Sequence, residues 1–166
     1  MELQAFQHGY GQSTYHLVFV PKCRYSYFRY PCVKKLCEKS FRGVAHKYNF
    51  TIHALEIQPN HVHLFVEFPP HYSVSEVVQL FKGNSAYRIL HAFPSLRKTY
   101  LRRGHFWSAG KFYRSVGNVT TDTIQHYIQQ SQHGWNFEHQ ATLRVGPHQI
   151  PRPLGRGVSF LSLRML

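Results

Sequence analysis

The pattern of apolar and polar positions divides the first 132 residues into seven elements. Alternation of apolar and polar residues predicts four strands, because successive side chains of a strand point to opposite faces of a sheet. A spacing of three to four residues between apolar positions predicts three helices. In chain order, the elements are a strand at 13–20, a helix at 32–48, strands at 50–58 and 60–68, a helix at 73–90, a strand at 112–116 and a helix from about 120 to 132.

The order of these elements predicts the fold. Strand, helix, strand, strand, helix and strand form the split βαβ arrangement of ferredoxin-like proteins, and here a further C-terminal helix follows. This order predicts an α+β fold in which the helices cover one face of a four-stranded antiparallel sheet. The other face is then open, or the last helix or a partner covers it.

The regular pattern stops shortly after the last predicted helix. We interpret residues 1–135 as one domain, in keeping with a total length of 166 residues. In residues 136–166, Pro and Gly interrupt every regular pattern and Arg recurs between them. This segment is therefore predicted to be a basic, poorly ordered tail.

Charge and cysteine content predict the partner and the compartment. The chain has 20 Lys and Arg against 7 Asp and Glu, a formal net charge of +13, which favours a polyanion such as nucleic acid. No apolar stretch approaches the length of a transmembrane helix, so we expect no membrane partner. An odd number of cysteines without a Cys-x-x-Cys pair, and the absence of a signal-peptide pattern, predict a cytoplasmic location.

The residue types also exclude several kinds of active site. The few acidic residues are scattered, whereas two-metal nucleases need clustered carboxylates. The sequence has no phosphate-binding glycine loop and no Gly-x-Ser-x-Gly motif. Chemistry on a phosphate backbone would therefore need histidine and another nucleophile.

His61 and His63 are candidate metal ligands, because alternate residues of a strand share one face and two neighbouring imidazoles can hold a divalent ion. The apolar residues between and after them, Val62, Leu64 and Val66, would anchor the opposite face in a core. The alternative is a chance pair, since the chain has 13 histidines.

Tyr127, on the last predicted helix, is a candidate nucleophile. A tyrosine hydroxyl can attack phosphorus and form a covalent intermediate that conserves the energy of the broken bond. The alternative is an ordinary helix tyrosine that packs where the helix meets the sheet.

Seven segments occur in an order that is specific as a set, over roughly residues 10–132. They are Tyr15 to Lys22, Pro59 to Leu64 with Val66 and Glu67, Pro69 to Ser75, Lys82 to Ala86, Gly104 to Ser108, Ser115 to Asn118, and Tyr127 with Ile128. In these segments the chain resembles the single-tyrosine HUH transposases of small bacterial insertion sequences, the superfamily that includes the REP-associated tyrosine transposases.

The resemblance implies an activity and its partners. Such enzymes bind hairpins in single-stranded DNA, cut beside them and rejoin the strands, and they act as homodimers. Carried onto this sequence, the resemblance makes His61 and His63 ligands of Mg²⁺ or Mn²⁺. It makes Tyr127 the residue that becomes linked to a 5′-phosphate and leaves a free 3′-OH.

The sequence departs from the family at Ser131, where a glutamine four residues after the tyrosine would be a further metal ligand. Gln130 is the better substitute, because position +3 lies within about 60° of Tyr127 around a helix, whereas Gln132 lies about 140° away. Ser131 could also act through a water molecule. A third possibility is a weakened site in a protein that still binds hairpins.

Cations and aromatic residues are candidates for contact with DNA phosphates and bases. The candidates are Lys22, Arg24, Lys82, Arg88, Arg102, Arg103, His105 and Trp107. The alternatives are a solvated basic face and, for Trp107, a place in the core. Gly83, inside a predicted helix, either permits a close approach or is merely tolerated.

An RNA-recognition module is a second class of function with the same order of elements. The basic and aromatic signature of such modules is absent from the third strand, where the histidine pair stands. Metal dependence would separate the transposase from this binding module, and formation of a covalent adduct would separate it from a weakened transposase.

Overall fold

Six strands and two α-helices lie in the part of the chain that the computed structural model describes, residues 4–6, 9–11, 13–96, 105–110 and 112–116. The predicted last helix, with Tyr127, and the tail at 136–166 lie outside these residues. The elements are β1 (Gln4–Phe6), β2 (Gly9–Gly11), β3 (Thr14–Phe19), α1 (Pro31–Tyr48), β4 (Thr51–Gln58), β5 (His61–Glu67), α2 (Val74–Ala92) and β6 (Phe112–Ser115).

The main sheet has the strand order β4-β5-β3-β6, and every neighbouring pair is antiparallel. This is the arrangement that the order of elements predicted, so the α+β, ferredoxin-like fold is confirmed for the described residues. A separate antiparallel pair, β1 with β2, was not predicted. Its strands have three residues each, too few for a pattern of alternation to stand out.

One face of the sheet packs against both helices and forms the apolar core. Alternate residues of the two central strands point to this side and are buried, which is why strands with this pattern need helices over them. The core residues of the sheet include Leu17, Phe19, Val62, Leu64 and Val66, and those of the helices include Val33, Phe41, Val77 and Phe81.

The start of α2 is fixed by a capping box. The Ser73 hydroxyl accepts from the Glu76 N–H at 3.2 Å, and the Glu76 carboxylate accepts from the Ser73 N–H at 2.8 Å. These bonds satisfy two backbone donors that a helix N-terminus otherwise leaves unpaired. In the described part of the chain, no helix is both long and apolar enough to cross a membrane.

A tight turn after β3 brings a second segment against the end of the sheet. Cys23 and Arg24 have positive φ angles of 58° and 51°, which turn the chain sharply. Beside them, the Lys22 N–H donates to the Phe106 carbonyl at 2.8 Å, and Pro21 pairs with Trp107. The segment 105–110 is therefore held next to the turn and near the start of β5, which is where the candidate ligands lie.

Candidate metal centre

The two candidate ligands share the face of β5 that points away from the helices. Register places His63 directly opposite Val18 of β3 and Glu56 of β4. Val62, between the two histidines, and Leu64, after them, have no exposed surface and lie in the core on the other side. The alternation predicted from the sequence is thus confirmed.

The imidazoles of His61 and His63 lie side by side, with ring centroids 4.8 Å apart and planes at 84°. His61 is half-buried, and His63 is only 2% exposed. The Nδ1 atom of His61 lies 2.6 Å from Oδ1 of Asn60. An amide oxygen only accepts, so this contact places a proton on Nδ1 and leaves the lone pair of His61 on Nε2.

A third histidine, His16 of β3, completes the group and was missed in the sequence. Its Nε2 atom lies 3.0 Å from Nδ1 of His63, and both side chains are buried. Its ring is stacked on Phe65, with centroids 4.3 Å apart and planes at 4°. Alternation along β3 could have placed His16 on one face, but the register of β3 against β5 was needed to bring it to His63.

Burial keeps these imidazoles neutral. It lowers the pKa of His63 to about 3, with the neighbouring His61 and His16 as further causes. Burial, and then the charge of Arg114, lowers the pKa of His16 to about 4. The pKa of His61 is lowered by burial and then by Arg24, against a smaller opposing effect of Glu56.

Neutral imidazole is the form that binds a metal, so the donor set at His61 and His63 fits a divalent cation. Two imidazoles leave the remaining coordination positions to other groups. Among the residues that the structure describes, no group of three or more His, Cys, Asp or Glu side chains could hold a metal ion.

Part of the predicted cationic set lies at this end of the sheet. Arg24 is exposed and close enough to His61 to affect its pKa, and Lys22 and His105 lie on the turn and the segment beside it. Arg114, which was not among the candidates, lies on the same face directly opposite His16. Arg24 and Arg114 therefore place positive charge beside His61 and His16.

Two other candidates, Lys82 and Arg88, have different surroundings. Lys82 donates from Nζ to the carbonyls of Ser108, at 2.9 Å, and Gly110, at 2.7 Å, and so ties α2 to the segment 105–110. Arg88 lies on α2, the opposite side of the sheet from His63, and approaches α1 near Gly43. The structure therefore does not bring Lys82 or Arg88 to the histidines.

Trp107 belongs to the core, and the prediction that it contacts DNA is corrected. The side chain is only 6% exposed, and its Nε1–H donates to the Ser85 hydroxyl at 2.9 Å. Its ring packs against Phe19, Phe28 and Phe106. A ring enclosed in this way has no face on which a base could stack.

The remaining candidates, Arg102, Arg103, Tyr127 and Gln130, lie outside the described residues. Their assignments stay predictions, as does that of Ser131 as the residue in place of the family glutamine.

Comparison with known proteins identifies the family. The family model for IS200-like transposases matches residues 10–131. The IS200 transposase of Salmonella typhimurium is 29% identical over 134 residues, which make up 79% of this chain and 87% of that protein. The ISDra2 transposase TnpA of Deinococcus radiodurans is 30% identical over 122 residues, 74% of this chain and 85% of that protein.

Solved structures agree with this result. A crystal structure of a transposase from Deinococcus radiodurans R1 matches with a TM-score of 0.62 at 26% identity, over 77% of this chain and 97% of that one. A REP-associated tyrosine transposase bound to a REP hairpin matches with a TM-score of 0.52 at 19% identity, over 80% of this chain and 76% of that one, which supports the fold. The chain belongs to the IS200-like transposase family.

Proposed function

We propose that this transposase cuts and rejoins single-stranded DNA beside hairpins, through a covalent phosphotyrosine at Tyr127 and with Mg²⁺ or Mn²⁺ at His61 and His63. The observation that carries the proposal is the state of the two imidazoles. Both lie on one face and are held neutral by burial, and the Nδ1 atom of each is engaged in a hydrogen bond. For His61, whose partner is an amide oxygen, this leaves Nε2 as the atom that the ring can offer to a metal. For His63 the same holds when His16 is the acceptor.

The protein's own residues would bind and orient the scissile phosphate. His61 and His63 would hold the metal, and Gln130 would add a third ligand from the predicted last helix. A bound divalent cation offsets the negative charge that develops on the phosphate oxygens during transfer. Arg24, exposed beside His61, supplies a further positive charge for the DNA backbone.

In the transfer step, the hydroxyl of Tyr127 gives up its proton to solvent, and its oxygen bonds to phosphorus as the bond from phosphorus to the 3′-oxygen breaks. The 3′-oxygen takes up a proton and leaves as a free 3′-OH, and the 5′-phosphate stays on the tyrosine. Rejoining reverses these events, with a 3′-OH as the attacking group. Because the phosphotyrosine bond replaces the phosphodiester bond, no high-energy cofactor is needed.

The proposed partner is a DNA hairpin, and the proposed assembly is a homodimer. The REP-associated transposase that shares this fold was solved bound to a REP hairpin. A net charge of +13 provides the attraction for a polyanion. In the proposed dimer, the tyrosine helix of one subunit completes the histidine site of the other, and the protein acts in the cytoplasm.

A specific feature favours a second candidate, a catalytically weakened transposase that still binds hairpins. Ser131 stands where the family has a metal-binding glutamine. If Gln130 does not take its place, the two histidines would bind the cation less tightly. The RNA-binding module is not retained, because the family match covers residues 10–131.

A gel assay with labelled single-stranded hairpins from both flanks of the gene tests the proposal. With Mn²⁺ or Mg²⁺, the wild type should give a denaturant-resistant protein–DNA band that disappears with chelator, with Tyr127→Phe and with His61→Ala. Hairpin binding without a band under either metal would favour the weakened transposase. In that case, Ser131→Gln should restore the band if the missing ligand is the cause.

A further inference from the structure

The two candidate ligands differ in what their Nδ1 atoms contact. His61 faces the amide oxygen of Asn60, which can only accept, so its tautomer is fixed by that one contact. His63 faces Nε2 of another imidazole, His16, which can either accept or donate. The tautomer of His63 is therefore decided together with that of His16.

His16 is held firmly in its place beside His63. It lies on β3, a central strand directly paired with β5, and its side chain is only 3% exposed. One face of the ring stacks on Phe65 at 4.3 Å, and Phe112 meets the ring at 74° with centroids 6.1 Å apart. These contacts fix the plane of the ring and keep Nε2 at 3.0 Å from His63.

We propose that His16 is a positioning residue for His63: its Nε2 accepts the Nδ1 proton of His63 and so keeps the lone pair of His63 on Nε2. This inference rests on the proposed metal site, because Nε2 is the atom that would bind the cation. Histidine ligands in metal sites commonly donate their other N–H to a neighbouring acceptor, which fixes the tautomer and the direction of the ring. Here the acceptor would be a second imidazole.

The opposite pair of tautomers shows what His16 would prevent. If Nε2 of His16 carried the proton, it would donate to Nδ1 of His63, and the proton of His63 would then lie on Nε2. A protonated Nε2 has no lone pair for a metal. Loss of the acceptor should act in the same direction, because a buried Nδ1–H without a partner is costly and the ring can avoid it by moving its proton to Nε2.

The first experiment reads the tautomer directly in the metal-free, full-length protein. Long-range ¹H–¹⁵N correlation spectra of uniformly ¹⁵N-labelled protein distinguish Nδ1–H from Nε2–H imidazoles, and the signals of His63 are identified by their loss in His63→Gln. We expect His63 as the Nδ1–H tautomer in the wild type. An Nε2–H tautomer would overturn the proposal, and this result needs neither metal binding nor a His16 variant that folds.

The second experiment measures Mn²⁺ affinity by calorimetry. His16→Phe keeps an aromatic ring over Phe65 but removes the acceptor, and it should weaken binding about 10- to 100-fold. His16→Gln has an amide oxygen that can accept, and it should lie between His16→Phe and the wild type. The matched control is His91→Phe, which removes an exposed imidazole on α2 and should bind Mn²⁺ as the wild type does.

The two experiments separate failure of this inference from failure of the metal site. One outcome refutes the role of His16 while the metal site stands. In this outcome the wild type binds Mn²⁺, His61→Ala does not bind it, and His16→Phe binds it as tightly as the wild type. If the wild type binds no Mn²⁺, the metal site is refuted, and the tautomer of His63 still decides whether His16 accepts its proton.

Discussion

The two faces of β5 differ in their side chains and are stabilised in different ways: the helix side is apolar, whereas the other side carries polar residues around the buried ring of Phe65. On the helix side, Val62, Leu64 and Val66 are fully buried among apolar residues, and close packing holds them. On the other side, His63 and Glu67 are almost as buried, but hydrogen bonds to other side chains satisfy them. The first face makes the fold stable, whereas the second places polar groups with a fixed direction.

Hydrogen bonds between side chains limit the cost of burying polar groups on this face. A buried polar group is costly only when its hydrogen bonds are unmade. His63 has His16 as a partner at 3.0 Å, and Glu67 has His53 at 2.9 Å. The core on the helix side supplies apolar burial, to which the fully buried Phe65 adds on the polar face.

The largest effect should come from His61→Ala, which removes a proposed metal ligand from the polar face. We expect the rate of DNA cleavage to fall about 10³-fold, equivalent to about 4 kcal/mol in the transition state. Because His61 is only half-buried, the free energy of unfolding should change by less than about 1 kcal/mol. Single-turnover cleavage and urea unfolding of the same preparation measure both quantities, and an unchanged rate would remove His61 from the site.

The next largest effect should come from a change on the helix side of β5. Leu64→Ala should lower the free energy of unfolding by about 3 kcal/mol, because it leaves a cavity under both helices. Where the variant remains folded, its cleavage rate should stay close to that of the wild type, since Leu64 points away from the histidines. Urea unfolding checks the first statement. A variant that is stable but inactive would show that the two faces are not independent.

A smaller effect is expected from Trp107→Phe, which tests whether Trp107 belongs to the core or to a DNA interface. Trp107→Phe should lower the free energy of unfolding by about 2 kcal/mol, through the lost bond to Ser85 and the lost volume. Hairpin affinity of the folded variant should be unchanged, as filter binding can show. If a base did stack on this ring, its loss would weaken binding by about 1–3 kcal/mol instead.

The sequence sufficed for those features that local periodicity encodes. Alternation placed His61 and His63 on one face, and the order of elements gave the sheet topology. What the sequence could not give was register between strands that are distant in the chain. His16 and His63 are 47 positions apart and meet only because β3 pairs with β5 in one register.

The same limit applies to candidates that were chosen by residue type alone. Trp107 and Lys82 have the residue types of a DNA interface, but both are engaged within the protein, with Ser85 and with the carbonyls of Ser108 and Gly110. Residue type shows what a side chain could contact, and only tertiary packing decides which contact it makes. Arg114 was not among the candidates, because only the pairing of β6 with β3 brings it opposite His16.

The smallest effect concerns the outer surface of the helix layer, at Gly83 of α2. A Cβ at this position would meet no atom of the described residues within 4 Å, so tight packing of those residues does not require glycine there. Gly83→Ala should therefore raise the free energy of unfolding by about 0.5–1 kcal/mol, the usual gain for alanine inside a helix. Urea unfolding measures the gain, and hairpin affinity measured in parallel separates the two interpretations of this glycine. Greater stability with unchanged hairpin affinity means that the glycine is merely tolerated. Greater stability with weaker hairpin binding would mean that DNA approaches α2 closely, on the face of the sheet opposite the histidines.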